Sequence, residues 1–327
     1  MHKLLGIDIG GTKCAVILGQ ECDNGNIEIL DKMRFETAEE NGPYAVIERF
    51  CACIDEILVR AGLKAADVAA IGISCGGPLD SRAGVIMSPP NLPGWDNIHI
   101  VDMLKERYGI PVGLQNDANA CAVAEWKFGA GRGCENMVFL TFGTGMGAGL
   151  ILDGRLYVGA NDNAGEVGHV RMDSFGPVGY SKAGSFEGFC SGRGIAQLGR
   201  LKAMERNQMG KCVTFWDGEE PMANITAARI AGCAHDGDEL SKEIFRICGE
   251  YLGRGLAVLV DILNPERIVL GSIYMRSKDL LMDAMNAVLR REALPCAEAV
   301  CTVCPAQLGE SIGDIAALSV AVINIGG

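Results

Sequence analysis

Residues 4–18 read LLGIDIGGTKCAVIL and residues 138–152 read VFLTFGTGMGAGLIL. Each is an apolar run, a turn of Gly and Thr, then a second apolar run. The second runs, Cys-Ala-Val-Ile-Leu and Gly-Leu-Ile-Leu, are short and strand-like rather than good helix openers. Each unit therefore predicts a β-hairpin with a glycine tip. Two such hairpins in one chain predict two related α/β halves facing each other. Chance likeness between glycine hairpins is the bland alternative, and the echo alone leaves it open.

Helices alternate with strands elsewhere. Val46, Ile47, Phe50, Ile54, Ile57 and Leu58 share one helical face, with Gly62 as a natural stop. A strand at Ile71–Ser74 follows. A long stripe from Phe245 to Leu263 ends at Asn264-Pro265 and leads into a strand, Arg267–Leu270. A helix is expected from about Lys278 to Arg291, a strand around Val300–Val303, and a last helix from about Ile312. This alternation is α/β. The expected boundary falls near Gly113–Asn116, giving domains 1–115 and 116–311, with the terminal helix (about 312–327) packing back on the first.

Composition narrows the function. The 327 residues are 49% apolar and 21% charged, enough for a sizeable core and for two domains. Lys+Arg 29 against Asp+Glu 41 gives −12, which repels nucleic acid and anionic membranes alike. The 14 cysteines are scattered through apolar patterns, as at Cys51, Cys53, Cys121 and Cys248, and read as reduced thiols used as small hydrophobes. No signal-peptide core and no apolar run of membrane-spanning length is found. A soluble cytoplasmic protein is expected.

Several segments are candidates for chemistry. In Asp8-Ile9-Gly10-Gly11-Thr12-Lys13, adjacent glycines let backbone N–H groups approach an anion, Lys13 adds a cation, and Asp8 could hold a metal through water. A plain hairpin turn does not ask for Asp, Thr and Lys around it, so phosphate binding is favoured. Gly143–Gly149 half matches a dinucleotide fingerprint, but a strand and not a helix follows it, so that reading fails on context. No P-loop pattern exists. Asn116-Asp117 reads first as a helix cap and second as a base held at a helix N-terminus. Glu166, His169 and Glu187 in glycine-rich loops suit a hydroxyl-rich ligand, and Ser88–Trp95 is a stiff loop with one amide, Asn91. Cys301 and Cys304 have the spacing of half a zinc site and no second half.

Together the segments DIGGTK (8–13), NLPGW (91–95), NDANA (116–120), TFGTGMGAG (141–149), GEVGH (165–169) and FEGFCSG (186–192) resemble the ROK family of sugar kinases, closest to its glucokinase-like members. The resemblance runs from Gly6 to about Asp314. It implies two actin/ribonuclease-H-like domains around a central cleft. It also implies ATP-dependent phosphorylation of a hexose 6-hydroxyl, with Mg²⁺ bridging the phosphates near Asp8. Asp117 matches the family's base. Asn91, Asn116, Glu166, His169 and Glu187 match sugar-binding positions. Gly10, Gly11, Thr12, Lys13, Thr144 and Gly145 match the phosphate loops, and Gly271 the start of the adenosine loop. Glucose is the expected substrate. N-acetylmannosamine, fructose or allose kinases and a non-catalytic sugar-binding regulator are the alternatives, and the family analogy implies a homodimer.

Two departures stand out. The family's structural zinc is held by a histidine and three cysteines, but the cysteine positions here read Val178, Tyr180 and Ser185. No zinc is expected, and packing by Phe175 and Tyr180 is the expected substitute. Ser272 stands where a second glycine is usual after Gly271. Repressors of the family carry a DNA-binding segment ahead of the first hairpin; with that hairpin beginning at Leu4, no nucleic-acid partner is expected.

Overall fold

A computed structural model of the chain describes residues 2–325 with the exception of Asn24. Its contacts divide the chain into two compact units. The first holds the chain up to Gly133, Gly149–Ala164 and the chain from Gln307; the second holds Cys134–Ala148 and Gly165–Ala306.

The chain opens with β1 (Lys3–Ile9), β2 (Lys13–Glu21), β3 (Ile27–Glu36) and α1 (Pro43–Ala61). Next come β4 (Val68–Cys75), the short pair β5 (Leu79–Asp80) and β6 (Val85–Ile86), α2 (Ile100–Tyr108), β7 (Val112–Asn116) and α3 (Asp117–Phe128). The sheet order is β3-β2-β1-β4-β7. Its first three strands are antiparallel neighbours, and β1-β4 and β4-β7 are parallel. β1 and β4 are buried on both faces, which is why they read as near-continuous apolar runs. Leu5, Ile7 and Ile73 pack with Phe50, Ile54 and Leu104 on the α1/α2 face.

The second hairpin is β8 (Met137–Phe142) and β9 (Met146–Leu152), followed by β10 (Arg155–Tyr157), β11 (Val178–Gly179) and β12 (Lys182–Ala183). Helices α4 (Phe186–Phe189), α5 (Gly192–Gln208), α6 (Ala227–His235) and α7 (Glu239–Leu263) lead to β13 (Arg267–Leu270). α8 (Ile273–Glu292), α9 (Pro295–Glu298), β14 (Thr302–Pro305) and α10 (Ile312–Ile323) complete the chain. This sheet is ordered β10-β9-β8-β13-β14, with parallel β8-β13 and β13-β14 pairs. The echo between the hairpins is thus an echo of topology: each hairpin gains an outer strand on one side and two parallel strands on the other.

Three expectations need correction. The boundary expected at 115/116 falls inside continuous structure: Val112–Asn116 pairs with β4, and β7 passes directly into α3, so the first unit runs on to Gly133. α8 begins at Ile273 and not near Lys278. Non-helical angles at Ser277 (φ −132°, ψ 28°) kink it, which restarts the apolar pattern at the expected position. The strand expected at Val300–Val303 is Thr302–Pro305, because Val300 and Cys301 belong to the turn closing α9. α10 lies against β1, β4 and α3, with Ala317, Leu318 and Ala321 on Leu4, Ile17 and Ala70. Gly326 and Gly327, included in the expected terminal helix, lie outside the described residues.

One charged residue is part of this core. Glu125 of α3 is fully buried and accepts N–H bonds from Ala130 (2.7 Å), Gln307 (2.9 Å) and Leu308 (2.9 Å). It ties α3 to the segment that enters α10. Three backbone donors left without partners make truncation costly. Glu125→Ala is expected to destabilise the chain by about 3 kcal/mol, measured by denaturant unfolding.

Candidate active site

In the first unit the β1–β2 turn is held from outside. Thr37 donates from Oγ1 to the Gly10 carbonyl (2.7 Å) and from its N–H to the Thr12 carbonyl (2.8 Å). Gly10 donates its N–H to the Lys13 carbonyl at 3.1 Å. Gly11, Thr12 and Lys13 are exposed, and Lys13 pairs with Glu36 at 3.3 Å. A Cβ on Gly11 would lie 2.6 Å from the Asn91 carbonyl oxygen, so the turn and the Asn91 loop are in backbone contact. Asn91 is exposed, yet Leu92 and Trp95 beside it are each 2% exposed and anchor the loop in the core.

The two readings of Asn116-Asp117 separate onto two residues. Asn116 is the cap: its Oδ1 accepts the Ala118 N–H at 2.9 Å. Asp117 is the first residue of α3, with Oδ1 on the same N–H at 2.8 Å. The residue as a whole is exposed, but the protein packed around the carboxyl desolvates it and raises its pKa above the ordinary value, with the Ala118 N–H pulling the other way. Asp8, half-buried at the end of β1, is pushed up to about 6 by burial, then by Asp314 and Asp117, against Lys32 and Arg34.

In the second unit the segment 165–169 lies along the start of β9. Ala148 donates its N–H to the Gly165 carbonyl at 2.8 Å. Cβ atoms on Gly165 (φ +88°) and Gly168 would sit 2.1 and 2.2 Å from the Ala148 and Met146 carbonyl oxygens. Only bare Cα atoms permit this approach. It leaves Glu166 and His169 exposed on a 3₁₀ turn beside the Gly143–Gly145 tip. Glu187, half-buried, accepts the Met146 N–H at 3.1 Å through Oε2. Glu187 therefore touches the β8–β9 turn itself.

Packing by Phe175 and Tyr180 does not hold this loop: they are 76% and 75% exposed. Tyr180 makes only an edge contact with the His169 ring (6.1 Å). Hydrogen bonds do the holding, most of them to backbone, with the Tyr251 hydroxyl of α7 donating to Asp173 Oδ2 at 2.5 Å. Lys182 Nζ donates to the His169 carbonyl (2.7 Å), Arg171 to the Ala183 carbonyl (2.7 Å), and Ser185 Oγ accepts the Gly188 N–H (3.0 Å). Phe189 stacks on Tyr251 with ring centroids 3.4 Å apart. Among the described residues, no group of three or more His, Cys, Asp or Glu is placed to hold a metal ion.

A cavity of about 1070 Å³ opens in the second unit. Gly143 and Thr144 line it, as do the first turns of α5, α6 and α8. Arg193, Arg200, Arg276 and His235 also line it, and no acidic side chain does. Gly271 is buried at the end of β13, and Ser272 and Ile273 supply the cavity wall. Thr37, Arg193 and Arg276 were missed by sequence reasoning. Thr37 meets the turn only through the fold, and isolated arginines carry no local signal.

Residues 4–322 match the model of the ROK family. The chain belongs to the ROK family. It is 32% identical over 326 residues to a glucokinase of Thermotoga maritima, covering 99% of each chain. Among solved structures, a ROK family transcriptional regulator, a homologue of the E. coli MLC protein, superposes with TM-score 0.81 at 25% identity, over 99% of this chain and 80% of that one. A ROK family glucokinase from Streptomyces griseus, in complex with glucose and AMPPNP, gives TM-score 0.74 at 28% identity, over 98% of this chain and 99% of that one. The two sheet-bearing units are the actin/hexokinase-like architecture of the ROK fold.

Within that fold Ser272 is strained. Its φ of 49° and ψ of −106° lie in a region open to glycine and costly for a residue with a Cβ. Ser272→Gly is expected to stabilise the chain by about 1 kcal/mol, read as a raised melting temperature.

Proposed function

We propose that this chain transfers the γ-phosphoryl group of ATP to the 6-hydroxyl of a hexose, glucose first among the candidates. The observation that carries the reading is the arginine-lined cavity of the second unit, in a chain of net charge −12; the desolvated carboxylate of Asp117 at the start of α3, in the first unit, supports it separately. A carboxylate with a raised pKa is a better proton acceptor than a free aspartate. The cavity suits a nucleotide: it is large enough, three helix N-termini face it, and its charged lining is cationic.

Bound ATP would supply the phosphoryl group, and Mg²⁺ would arrive with it. Without a three-ligand metal cage among the described residues, the ion would be held mainly by phosphate oxygens and water, with Asp8 as the nearby carboxylate. By the family resemblance, Gly10–Lys13, Thr144 and Gly145 would meet phosphates, and Asn91, Asn116, Glu166, His169 and Glu187 would bind sugar hydroxyls. Asp117 would take the proton of the attacking hydroxyl. Such a reaction needs alignment and charge neutralisation more than covalent help.

Glucokinases and a transcriptional regulator stand among the relatives, and turnover separates the two readings. The test is ADP release with Mg-ATP against a panel of hexoses. Hexose-dependent ADP release is expected, and hexose binding without it would support the regulator. Asp117→Asn is expected to lower kcat by about 10²–10⁴-fold with hexose affinity retained; a variant keeping most of its kcat would remove Asp117 from the role. Because the base must be ionised and its pKa is raised, activity is expected to fall with acid at a pH above the ordinary aspartate range, checked as a kcat/KM–pH profile.

A further inference from the structure

We propose that Gln197 is a positioning residue: its side-chain amide fixes the hairpin beside Glu187 from the nucleotide side of the second unit, and so links nucleotide occupancy to sugar binding. The inference rests on the reading that Glu187 and His169 hold the sugar.

The hairpin is weak by itself. β11 and β12 are two residues each, and a two-stranded ladder that short is marginal in water. Its turn residues, Tyr180 (φ 41°) and Ser181 (φ 64°), both lie in the left-handed region, where Asn-Gly would be at home and Tyr-Ser is not. Val178 and Tyr180 are exposed, so little apolar burial offsets this.

Gln197 supplies what the ladder lacks. Val178 stands opposite Ala183, and the neighbouring pair is hydrogen-bonded, with the Gly184 N–H donated to the Pro177 carbonyl at 3.0 Å. By antiparallel alternation, the N–H and C=O of Val178 point away from the hairpin. Gln197 meets both. Its Oε1 accepts the Val178 N–H at 3.0 Å, and its Nε2 donates to the Val178 carbonyl at 2.8 Å. One side-chain amide thus acts as a third strand one residue long.

The clip connects two sites. Next to Val178, a Cβ on Gly179 would lie 2.8 Å from the Glu187 Cβ, so the clipped strand backs directly onto Glu187. Glu187 in turn receives the Met146 N–H of the β8–β9 turn. On its other side, Gln197 lines the cavity with Arg193 and Thr144. A nucleotide there would press on the residue that holds the hairpin, and all of these residues belong to one unit.

The test compares Gln197→Ala and Gln197→Glu with the wild-type full chain by hydrogen exchange over 177–187, with and without a non-hydrolysable ATP analogue, and by hexose kinetics. Gln197→Ala is expected to speed exchange in the hairpin and raise hexose KM by about tenfold with kcat little changed. It should also abolish the extra hairpin protection that the analogue gives the wild type. Gln197→Glu keeps the acceptor, loses the donor, and should fall in between; it carries the test if the alanine variant does not fold. Unchanged hairpin exchange and hexose KM in a folded variant would overturn the proposal, as would loss of kcat and melting temperature with the nucleotide-dependent protection intact. Should none of the hexoses elicit ADP release from the wild type, the proposed reaction fails, and the exchange comparison alone decides the role of Gln197.

Discussion

Asn116 accepts the Ala118 N–H at 2.9 Å where β7 passes into α3 without a loop, and this corner sets the position of Asp117. The parallel register with β4, which puts Cys75 beside Asn116, decides where the strand stops. Bare Cα at Gly149 lets β9 come against the first turn of α3; a Cβ there would lie 2.6 Å from the Ala118 carbonyl oxygen. Glu125 ties down the far end of the helix through buried N–H bonds. A helix N-terminus stabilises a carboxylate by about 0.3–1 kcal/mol when exposed. Here desolvation outweighs that help, since the Asp117 pKa is raised. The fold gives the carboxylate one fixed N–H partner and withholds part of its solvation.

The second unit solves the opposite electrostatic problem. An acidic chain repels a polyphosphate at long range. The cavity gathers Arg193, Arg200 and Arg276 and the first turns of three helices, all favourable to an anion. Arg200 is also structural, since Nε donates to the Met222 carbonyl at 3.0 Å. The strained backbone of Ser272 sits in the same wall. Strain of about 1–3 kcal/mol persists only where the surroundings over-determine the geometry. Here β13 on one side and α8 on the other supply that constraint.

Much of this was legible in the chain because glycine turns and strand runs are local signals. The two hairpins, the Asn116 cap and the alternation of strands and helices needed only neighbours in sequence. The domain boundary was not legible, since the first unit is assembled from three separate stretches. Glu125 reads as a solvated helix charge until Gln307 and Leu308 arrive from far along the chain. Thr37 and Gln197 act by side-chain bonds to distant backbone, and a lone Thr or Gln has no pattern to betray it. Phe175 and Tyr180 misled for the converse reason: aromatic residues in a loop suggest packing, and these two face solvent.

The anchoring of the 165–187 segment bears on how the second unit can move. Each hydrogen bond that holds its hairpin contributes about 0.5–1.5 kcal/mol net, whereas a structural zinc site contributes about 10 kcal/mol or more. The hairpin's bonds to Lys182, Arg171 and Gln197 all end on backbone carbonyls or N–H groups. Together these four bonds contribute about 2–6 kcal/mol net, and structure held this way belongs to the low-stability end of a fold. α4 behaves differently, because the Phe189–Tyr251 stack and buried Phe186 fasten it to α7. Tyr251 also donates to Asp173, so the loosely held part is the hairpin itself, and the junction with fixed structure on its C-terminal side falls at Ser185–Glu187. Glu187 stands on the fixed side of that junction with its carboxylate on the β8–β9 turn, while His169 depends on the labile hairpin through Lys182.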